Sequence, residues 1–372
     1  MKLALITHVP HIHTDERYFA YGPYVKEMNI WFKYADEVLL VAPMTQAPLS
    51  AVDLAYNHAA VSFFPVPAFS LLSVKEILKT MVYLPQLFWS TFKVMKKADH
   101  IHLRCPGNMG LIGCLVQILF PNKKKTAKYA GNWDPKAKQP WSYRLQKWIL
   151  SNTFLTRNMK VLVYGEWQHR SKNILPFFTA TYREHEKEAI QPRDLTKTIA
   201  FLFAGTLSEG KRALYAVQLI ESLYHSGLDV ALEIYGEGKE RTAIESYLAA
   251  GKLQHIVTLQ GNQTQETVKK AYQNNHFLIL PSQSEGWPKV VAEAMFWGCV
   301  PIATAVSCVA NMLDDGKRGL ILTMNKETDS KNIMTVIRNN QEYQQMITQG
   351  VNWSRQYTID YFEAEIKNIV AG

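Results

Sequence analysis

The chain has 372 residues, which exceeds one typical domain and suits two. Hydrophobic residues make up 47% of it and charged residues 20%, so an intrinsically disordered protein is excluded and two sizeable cores can form. The net charge of +9 is unevenly distributed, because residues 1–195 carry 25 basic and 14 acidic side chains whereas the remainder carries more acidic than basic ones.

In the first half of the chain, short β-branched runs alternate with longer amphipathic stretches. This alternation is typical of parallel sheets whose strands are joined by crossover helices. The predicted strands are Lys2–Thr7, Glu37–Ala42, Val61–Val66, His100–Leu103, Thr126–Ala130 and Lys160–Tyr164. The predicted helices include Ser73–Lys97 and Lys138–Leu155.

Residues 181–198 contain few large apolar side chains, and we interpret them as an interdomain linker. A second alternating series follows, with strands at Ile199–Ala204, Val230–Tyr235, Ile256–Leu259, Phe277–Leu280 and Val300–Ala303. An amphipathic helix is predicted to begin at Trp353. The sequence therefore predicts an α/β protein with two facing Rossmann-like, doubly wound domains over residues 1–180 and 199–352. A C-terminal helix occupies residues 353–372. Ligands of such domains bind beyond the carboxyl ends of the strands.

The unit from Phe277 to Val300 reads as strand, loop, helix and strand. Pro288 suits the first helical position, where its missing N–H is harmless, and Gly298 suits the position just past the helix end. The free N–H groups of a helix N-terminus favour a diphosphate. The loop before this helix is therefore a candidate phosphate site.

Two carboxylates belong to the same unit. Glu285 lies on the loop beside Gly286, which lets the backbone approach a ligand closely. Glu293 lies on the second turn of the helix, where a carboxylate can accept both hydroxyls of a ribose. The alternative for Glu293 is a solvent-facing helix residue, and for Glu285 an ordinary loop residue.

These glutamates lie in the frame PSxxEGxPxxxxEAMxxGxxPIAT, which resembles the motif of the family-4 (group 1) retaining glycosyltransferases. Three shorter segments resemble further loops of that family: Phe203–Lys211, Ile234–Gly238 and Asp315–Gly319. The resemblance covers most of residues 199–325, whereas residues 1–180 match only as a domain type.

The resemblance implies the GT-B fold, with a C-terminal helix that crosses back to the first domain. It also implies transfer of a sugar from a nucleotide diphosphate, without a metal or other cofactor. Glu285 would contact the donor sugar, Glu293 the ribose and Lys211 the diphosphate. The other donor-site positions that it implies are Gly205, Thr206, Arg212, Gly236, Glu237, Gly286, Trp287, Pro288 and Lys289.

Three departures from the family pattern matter. Thr206 replaces an arginine, so that one phosphate-binding cation is missing unless Arg212 or Lys289 substitutes for it. The segment from Lys128 to Asp134 lacks the histidine usually found near the reaction centre, and the usual glycine pair after the first strand is reduced to Gly22.

In the first half, polar side chains follow two predicted strands. His11 and His13 follow the first strand, and Arg104 and Asn108 follow the strand His100–Leu103. Since carboxyl ends of parallel strands meet at one edge, these four residues are candidates for contact with the acceptor. Solvated loop histidines are the alternative. A metal site is disfavoured because no cysteine or carboxylate trio accompanies the histidines.

The helix Ser73–Lys97 combines large apolar residues, among them Trp89, with Lys93, Lys96 and Lys97. Together with the basic excess of this half, the pattern indicates an anionic membrane surface as partner. We do not expect a nucleic acid as partner. An ordinary core-packing helix is the alternative. The longest apolar stretch is too short to span a bilayer, and four cysteines without a CxxC pair suit reduced thiols. We expect a cytoplasmic protein, peripheral on the inner face of the membrane.

The expected reaction is transfer of a hexose to a saccharide or lipid-linked acceptor in cell-envelope polysaccharide or glycolipid assembly. A UDP-hexose is favoured over GDP-mannose as donor. Two alternatives stay open: a nucleotide-sugar epimerase on the same fold, and a nucleotide-sugar-binding scaffold that has lost catalysis.

Overall fold

A computed structural model describes residues 1–50, 52–70 and 73–371 of the chain. The chain divides into two compact units: unit 1 is Met1–Phe177 together with the residues from Glu363 onward, and unit 2 is Phe178–Phe362. Positions 51, 71, 72 and 372 of the predicted domains lie outside the described residues. Among the described helices, none has the length and apolar character needed to cross a membrane.

Unit 1 is built on a seven-stranded parallel sheet with strand order β10-β9-β8-β7-β1-β4-β6. Its strands are β1 Lys2–Ile6, β4 Glu37–Pro43, β6 Val61–Val66, β7 His100–Cys105, β8 Lys124–Tyr129, β9 Met159–Tyr164 and β10 Ile174–Phe177. Its helices are α1 Gly22–Phe32, α2 Val74–Lys97, α3 Asn108–Val116 and α4 Trp141–Ser151. The six predicted strands are present, with ends shifted by two residues at most.

A small antiparallel sheet in unit 1 was not predicted. It consists of β2 Ile12–Thr14, β3 Arg17–Tyr21 and β5 Asp53–Ala55, in the order β2-β3-β5. The β2–β3 turn places Asp15 and Glu16 at positive φ, 48° and 58°. Such turns usually carry Asn-Gly or Asp-Gly, so the sequence gives no ordinary hairpin signal here.

Unit 2 contains a six-stranded parallel sheet with strand order β13-β12-β11-β14-β15-β16. Its strands are β11 Ile199–Ala204, β12 Val230–Tyr235, β13 Val257–Gly261, β14 Phe277–Leu280, β15 Val300–Thr304 and β16 Leu320–Leu322. Its helices are α5 Ala213–His225, α6 Arg241–Gly251, α7 Gln265–Asn274, α8 Lys289–Phe296, α9 Val309–Met312, α10 Lys326–Arg338 and α11 Asn340–Ser354. Helix α12, Ile359–Ala371, begins in unit 2 and from Glu363 belongs to unit 1.

Residues 181–198, interpreted as a linker, are a packed part of unit 2. The guanidinium of Arg193 donates hydrogen bonds to the backbone carbonyls of Tyr272, Gln273, Trp297 and Gly298 at 2.5–3.2 Å. These carbonyls lie at the C-terminal ends of α7 and α8, where helix carbonyls lack partners of their own. Arg193 thus holds this segment against unit 2. The low content of apolar residues in the segment did not predict this contact.

The predicted helix from Trp353 is interrupted. Helix α11 ends at Ser354, and α12 begins at Ile359. The hydroxyl of Thr358 accepts the N–H of Tyr361 at 3.2 Å, which starts a new helix at this point. Within unit 1, the later part of α12 is held by an ion pair between Glu363 and Lys33 at 2.7 Å.

Candidate active site

The loops at the carboxyl ends of β11, β12 and β13 are joined by their backbones. Gly205 N–H donates to Tyr235 O at 2.9 Å, and Gly236 N–H donates to Gly261 O at 2.8 Å. The contact between the loops is so close that a Cβ at Gly236 would lie 1.9 Å from the carbonyl oxygen of Gly205. Glycine is therefore required at Gly236, and the predicted donor-site glycines Gly205 and Gly236 form one rigid edge.

The loop after β14 is positioned by its neighbours. The carbonyl of Gly286 accepts hydrogen bonds from Ser307 Oγ at 3.1 Å and Cys308 Sγ at 3.2 Å. Gly298 ends α8 with φ +73°, as predicted. Pro288 immediately precedes the first helical residue, one position earlier than expected, and its backbone is extended. The amino end of α8 lies at the carboxyl edge of the sheet.

Lys211 and Glu285 are brought together in this edge. The two loops that carry them are joined by a hydrogen bond from Gln283 N–H to Gly210 O at 2.8 Å. Lys211 Nζ lies 2.5 Å from Glu285 Oε1, and the side chain of Glu285 is only 9% exposed. The pair is a charge-assisted hydrogen bond that fixes the carboxylate in place.

Two further cations lie at helix starts on the same edge. Arg212 immediately precedes α5 in a left-handed conformation, φ +52°, and lines a cavity of about 430 Å³ with Glu209, Tyr215 and Gln283. Lys289 is the first residue of α8 and is half-buried. Within the described part of the chain, neither side chain forms an ion pair. Thr206 is exposed and brings no charge to this edge.

Glu293 is held by two hydroxyl groups of unit 2. Its carboxylate accepts from Thr181 Oγ1 at 2.6 Å and from Tyr272 OH at 3.0 Å. Burial and, secondly, the charge of Glu293 hold the pKa of Tyr272 well above its usual value, so Tyr272 stays a donor. A carboxylate offers about four acceptor positions, so about two remain for a ligand. Its role as the ribose-binding group stays a prediction.

Two other predicted donor-site residues are engaged with protein groups. Glu237 forms an ion pair with Arg241, which also binds Glu245. The ring of Trp287 stacks on Trp353 with centroids 6.0 Å apart and meets Tyr357 edge-on at 5.4 Å. The Trp287 ring therefore packs against the end of α11 and the turn after it.

The four acceptor candidates of unit 1 differ in exposure. His11 is fully buried, with Nε2 2.7 Å from Tyr56 OH, and burial lowers its pKa to about 4. Arg104 is buried in an ion pair with Glu27 at 2.5 Å. Asn108 donates to Phe69 O at 2.6 Å, whereas His13 is exposed beside Tyr18. Unit 1 thus encloses the ring of His11 and the guanidinium of Arg104, and the acceptor contact of the four residues stays a prediction.

Sequence reasoning missed the partners of these groups. Thr181 lies in the supposed linker and Tyr272 on α7, far from Glu293 in sequence, so no local pattern connects them. Glu27 lies on α1 and also binds Lys128, which is fully buried, at 3.1 Å. Among the described residues, no group of three or more His, Cys, Asp or Glu side chains could hold a metal ion.

Comparison with known proteins bears on the family and the fold of the chain. Residues 185–353, which lie within unit 2, match the family of glycosyl transferases group 1. An uncharacterized glycosyltransferase of Methanocaldococcus jannaschii is 29% identical over 132 residues, which are 35% of this chain and 37% of that protein. The matched stretch thus spans little more than a third of that relative.

Two solved structures resemble the whole chain. The lipopolysaccharide outer core galactosyltransferase WaaB, in its apo form, has a TM-score of 0.70 and 15% identity, covering 100% of this chain and 99% of that one. HepE of Anabaena, in complex with UDP and glucose, has a TM-score of 0.68 and 13% identity, with the same coverage. The chain therefore has the GT-B fold, and the match over residues 185–353 supports a glycosyltransferase of group 1.

Proposed function

We propose that this protein transfers a hexose from a nucleoside diphosphate to a saccharide acceptor, with retention at the anomeric carbon and without a divalent metal. The observation that carries the proposal is the Lys211–Glu285 pair at the carboxyl edge of the unit 2 sheet. In the reaction, the bond from the anomeric carbon to the β-phosphate oxygen breaks. A bond to the acceptor oxygen forms, the nucleoside diphosphate departs, and the proton of the acceptor hydroxyl is released to the medium.

Cationic residues of unit 2 can stabilise the negative charge that develops in this step. Negative charge grows on the departing diphosphate, and Lys211, Arg212, Lys289 and the free N–H groups at the start of α8 can stabilise it. Glu285, held by Lys211, can accept a hydrogen bond from a donor-sugar hydroxyl. With Lys211 engaged by Glu285, the second cation that Thr206 does not supply would come from Arg212 or Lys289.

For the donor we propose a UDP-hexose, in preference to GDP-mannose. Support for UDP comes from the HepE complex, which contains UDP and glucose. The acceptor positions left on Glu293 suit the ribose of either nucleotide. Glu237 and Gly236 would border the base. The acceptor would be a saccharide in cell-envelope polysaccharide or glycolipid assembly, and His13 is the exposed unit 1 candidate for contacting it.

We also propose that unit 1 lies on an anionic membrane, so that the acceptor can remain attached to a lipid. Helix α2 exposes apolar side chains that a core-packing helix would bury: Leu78 61%, Met81 57%, Val82 76% and Trp89 55%. An apolar groove of about 1040 Å³ lies between α2 and α3. Lys93 lies over the Trp89 ring at 5.2 Å, and Lys96 and Lys97 are exposed nearby. Cations beside exposed aromatics suit an anionic interface.

The proposal is tested first by thermal stabilisation with a series of nucleotide sugars, because a bound donor raises stability by mass action. A UDP-hexose should raise the melting temperature more than GDP-mannose does. Donor binding without turnover under any acceptor condition would favour the scaffold alternative. Stabilisation by no nucleotide sugar would contradict a donor site in unit 2.

A further inference from the structure

A basic cavity lies at the edge of the unit 1 sheet opposite to the carboxyl ends of its strands. It has a volume of about 780 Å³, and its lining includes the amino-terminal residues of β7, β8 and β9. Five of its lining side chains are cations: Lys124, Lys125, Arg157, Lys160 and Lys172. No Asp or Glu is among the described residues that line it.

Lys125 is the most informative of the five. Its side chain is 2% exposed, yet within the described part of the chain its ammonium has no carboxylate within ion-pair distance. Among the described residues, the ammonium donates a single hydrogen bond, a long one of 3.3 Å to the carbonyl of Gln117. Fully buried lysines are almost always paired, because an unpaired buried charge is costly. Burial lowers the pKa of Lys125 to about 8, which leaves it mostly charged at neutral pH.

The other cations also lack acidic partners among the described residues. Lys124 donates to the carbonyl of Ala371 at 3.3 Å, and the guanidinium of Arg157 lies 4.8 Å from the centroid of the Phe154 ring. Burial and, secondly, the charges of Lys124 and Lys160 lower the pKa of His100 to about 4. The cavity is therefore a region of positive potential whose natural complement is an anion.

We infer that this cavity binds a phosphate group, on a small molecule or on a phospholipid head group. The buried ammonium of Lys125 and the four other cations that line the cavity match the charge and the several acceptor oxygens of a phosphate. The ring of Phe154, which is 70% exposed and contacts the guanidinium of Arg157, would suit the head-group case. The inference is independent of the donor site, because all cavity residues belong to unit 1.

The test uses the full chain and inorganic phosphate as probe, titrated calorimetrically against chloride at equal ionic strength. The double variant Lys160→Gln/Lys172→Gln should weaken phosphate binding at this site about tenfold or more, since charged hydrogen bonds are lost. The matched control Lys136→Gln/Lys138→Gln removes the same charge from exposed positions outside the cavity and should leave binding unchanged. UDP binding should be unaffected in both variants, so failure here is distinguishable from failure of the proposed function.

Lys125→Met provides a second variant. This substitution should abolish phosphate binding. In the absence of phosphate, the melting temperature of the variant should equal or exceed that of the unmodified protein, because no salt bridge is lost with the buried charge. Vesicles of phosphatidylcholine, with or without phosphatidylglycerol, distinguish a lipid head group from a soluble phosphate as the ligand. Retention on the anionic vesicles that falls in the Lys160/Lys172 variant assigns a lipid head group, and unchanged retention with weakened phosphate binding assigns a soluble ligand. Phosphate affinity and vesicle retention that are both unchanged in the two cavity variants would overturn the inference.

Discussion

Lys211 Nζ lies 2.5 Å from Glu285 Oε1, so the cation expected at the diphosphate is already bound to the carboxylate expected at the donor sugar. The carboxylate is nearly enclosed, whereas the lysine side chain is 28% exposed and accessible to a ligand. A bound diphosphate would share the ammonium with Glu285. The two residues thus form one electrostatic unit rather than two separate contacts.

Lys211→Ala should reduce turnover more than donor binding, because negative charge on the leaving diphosphate increases in the transition state. We expect kcat to fall about a hundredfold or more, the range for loss of one stabilising group, with a much smaller change in donor Kd. Lys331→Ala, an exposed lysine on α10, is the matched control. Equal losses in kcat and donor affinity would show instead that Lys211 binds the donor equally well in the ground state and in the transition state.

Glu293→Ala should weaken nucleotide binding by removing ribose hydrogen bonds, on the order of 1.5–3 kcal/mol. The structure adds a control, because Tyr272→Phe removes a protein partner of the carboxylate and leaves the carboxylate itself. Calorimetry with UDP should therefore show a large loss in Glu293→Ala and a small change in Tyr272→Phe. If both variants lose stability while UDP affinity stays at the level of the unmodified protein, Glu293 is a structural residue only.

Membrane retention should depend on the lysines at the end of α2. Each basic side chain near an anionic surface contributes roughly 1 kcal/mol and is screened by salt. Replacing Lys93, Lys96 and Lys97 with glutamate should abolish retention on anionic liposomes at low salt and leave donor binding intact. The control carries glutamate at three exposed lysines of unit 2, positions 252, 326 and 331. Retention that is insensitive to lipid charge and to salt would rule out electrostatic docking.

Acid should destabilise unit 1 through its buried histidines. Burial lowers the pKa of His11 and of His100 from 6.5 to about 4, so each binds fewer protons folded than unfolded. The free energy of unfolding therefore keeps the contribution of the two neutral histidines above pH 6.5. As the pH falls from 6.5 towards 4, it decreases by about 3 kcal/mol for each histidine. Denaturant unfolding of His11→Gln should show a shallower pH dependence than the unmodified protein. A slope of His11→Gln equal to that of the unmodified protein would refute the assignment.

The fold was largely predictable because its parallel strands are continuous apolar runs bounded by turn residues. Ile199–Ala204, Val230–Tyr235 and Phe277–Leu280 have the predicted ends. Gly298 ends α8 through a local backbone requirement that the sequence displays directly. Local signals of this kind do not depend on distant partners.

The unpredicted features depend on distant contacts. The hydroxyls on Glu293 come from residues 112 and 21 positions away, and His11 is enclosed by Tyr56, 45 positions away. A histidine after a strand looks the same in sequence whether its loop is open or covered by a second sheet. For His11, the antiparallel sheet of β2, β3 and β5 determines that the loop is covered. No local sequence signal predicts that sheet.

The most direct test of the central claim is an NMR time course of a UDP-α-hexose with the protein in EDTA, in which the sugar is transferred to an acceptor saccharide or to water. The account predicts that UDP is released without added metal and that the first anomer formed is α. The same time course with Glu285→Gln should show a large loss of rate. A β anomer as first product, or activity that disappears in EDTA and returns with Mn²⁺, would contradict the account.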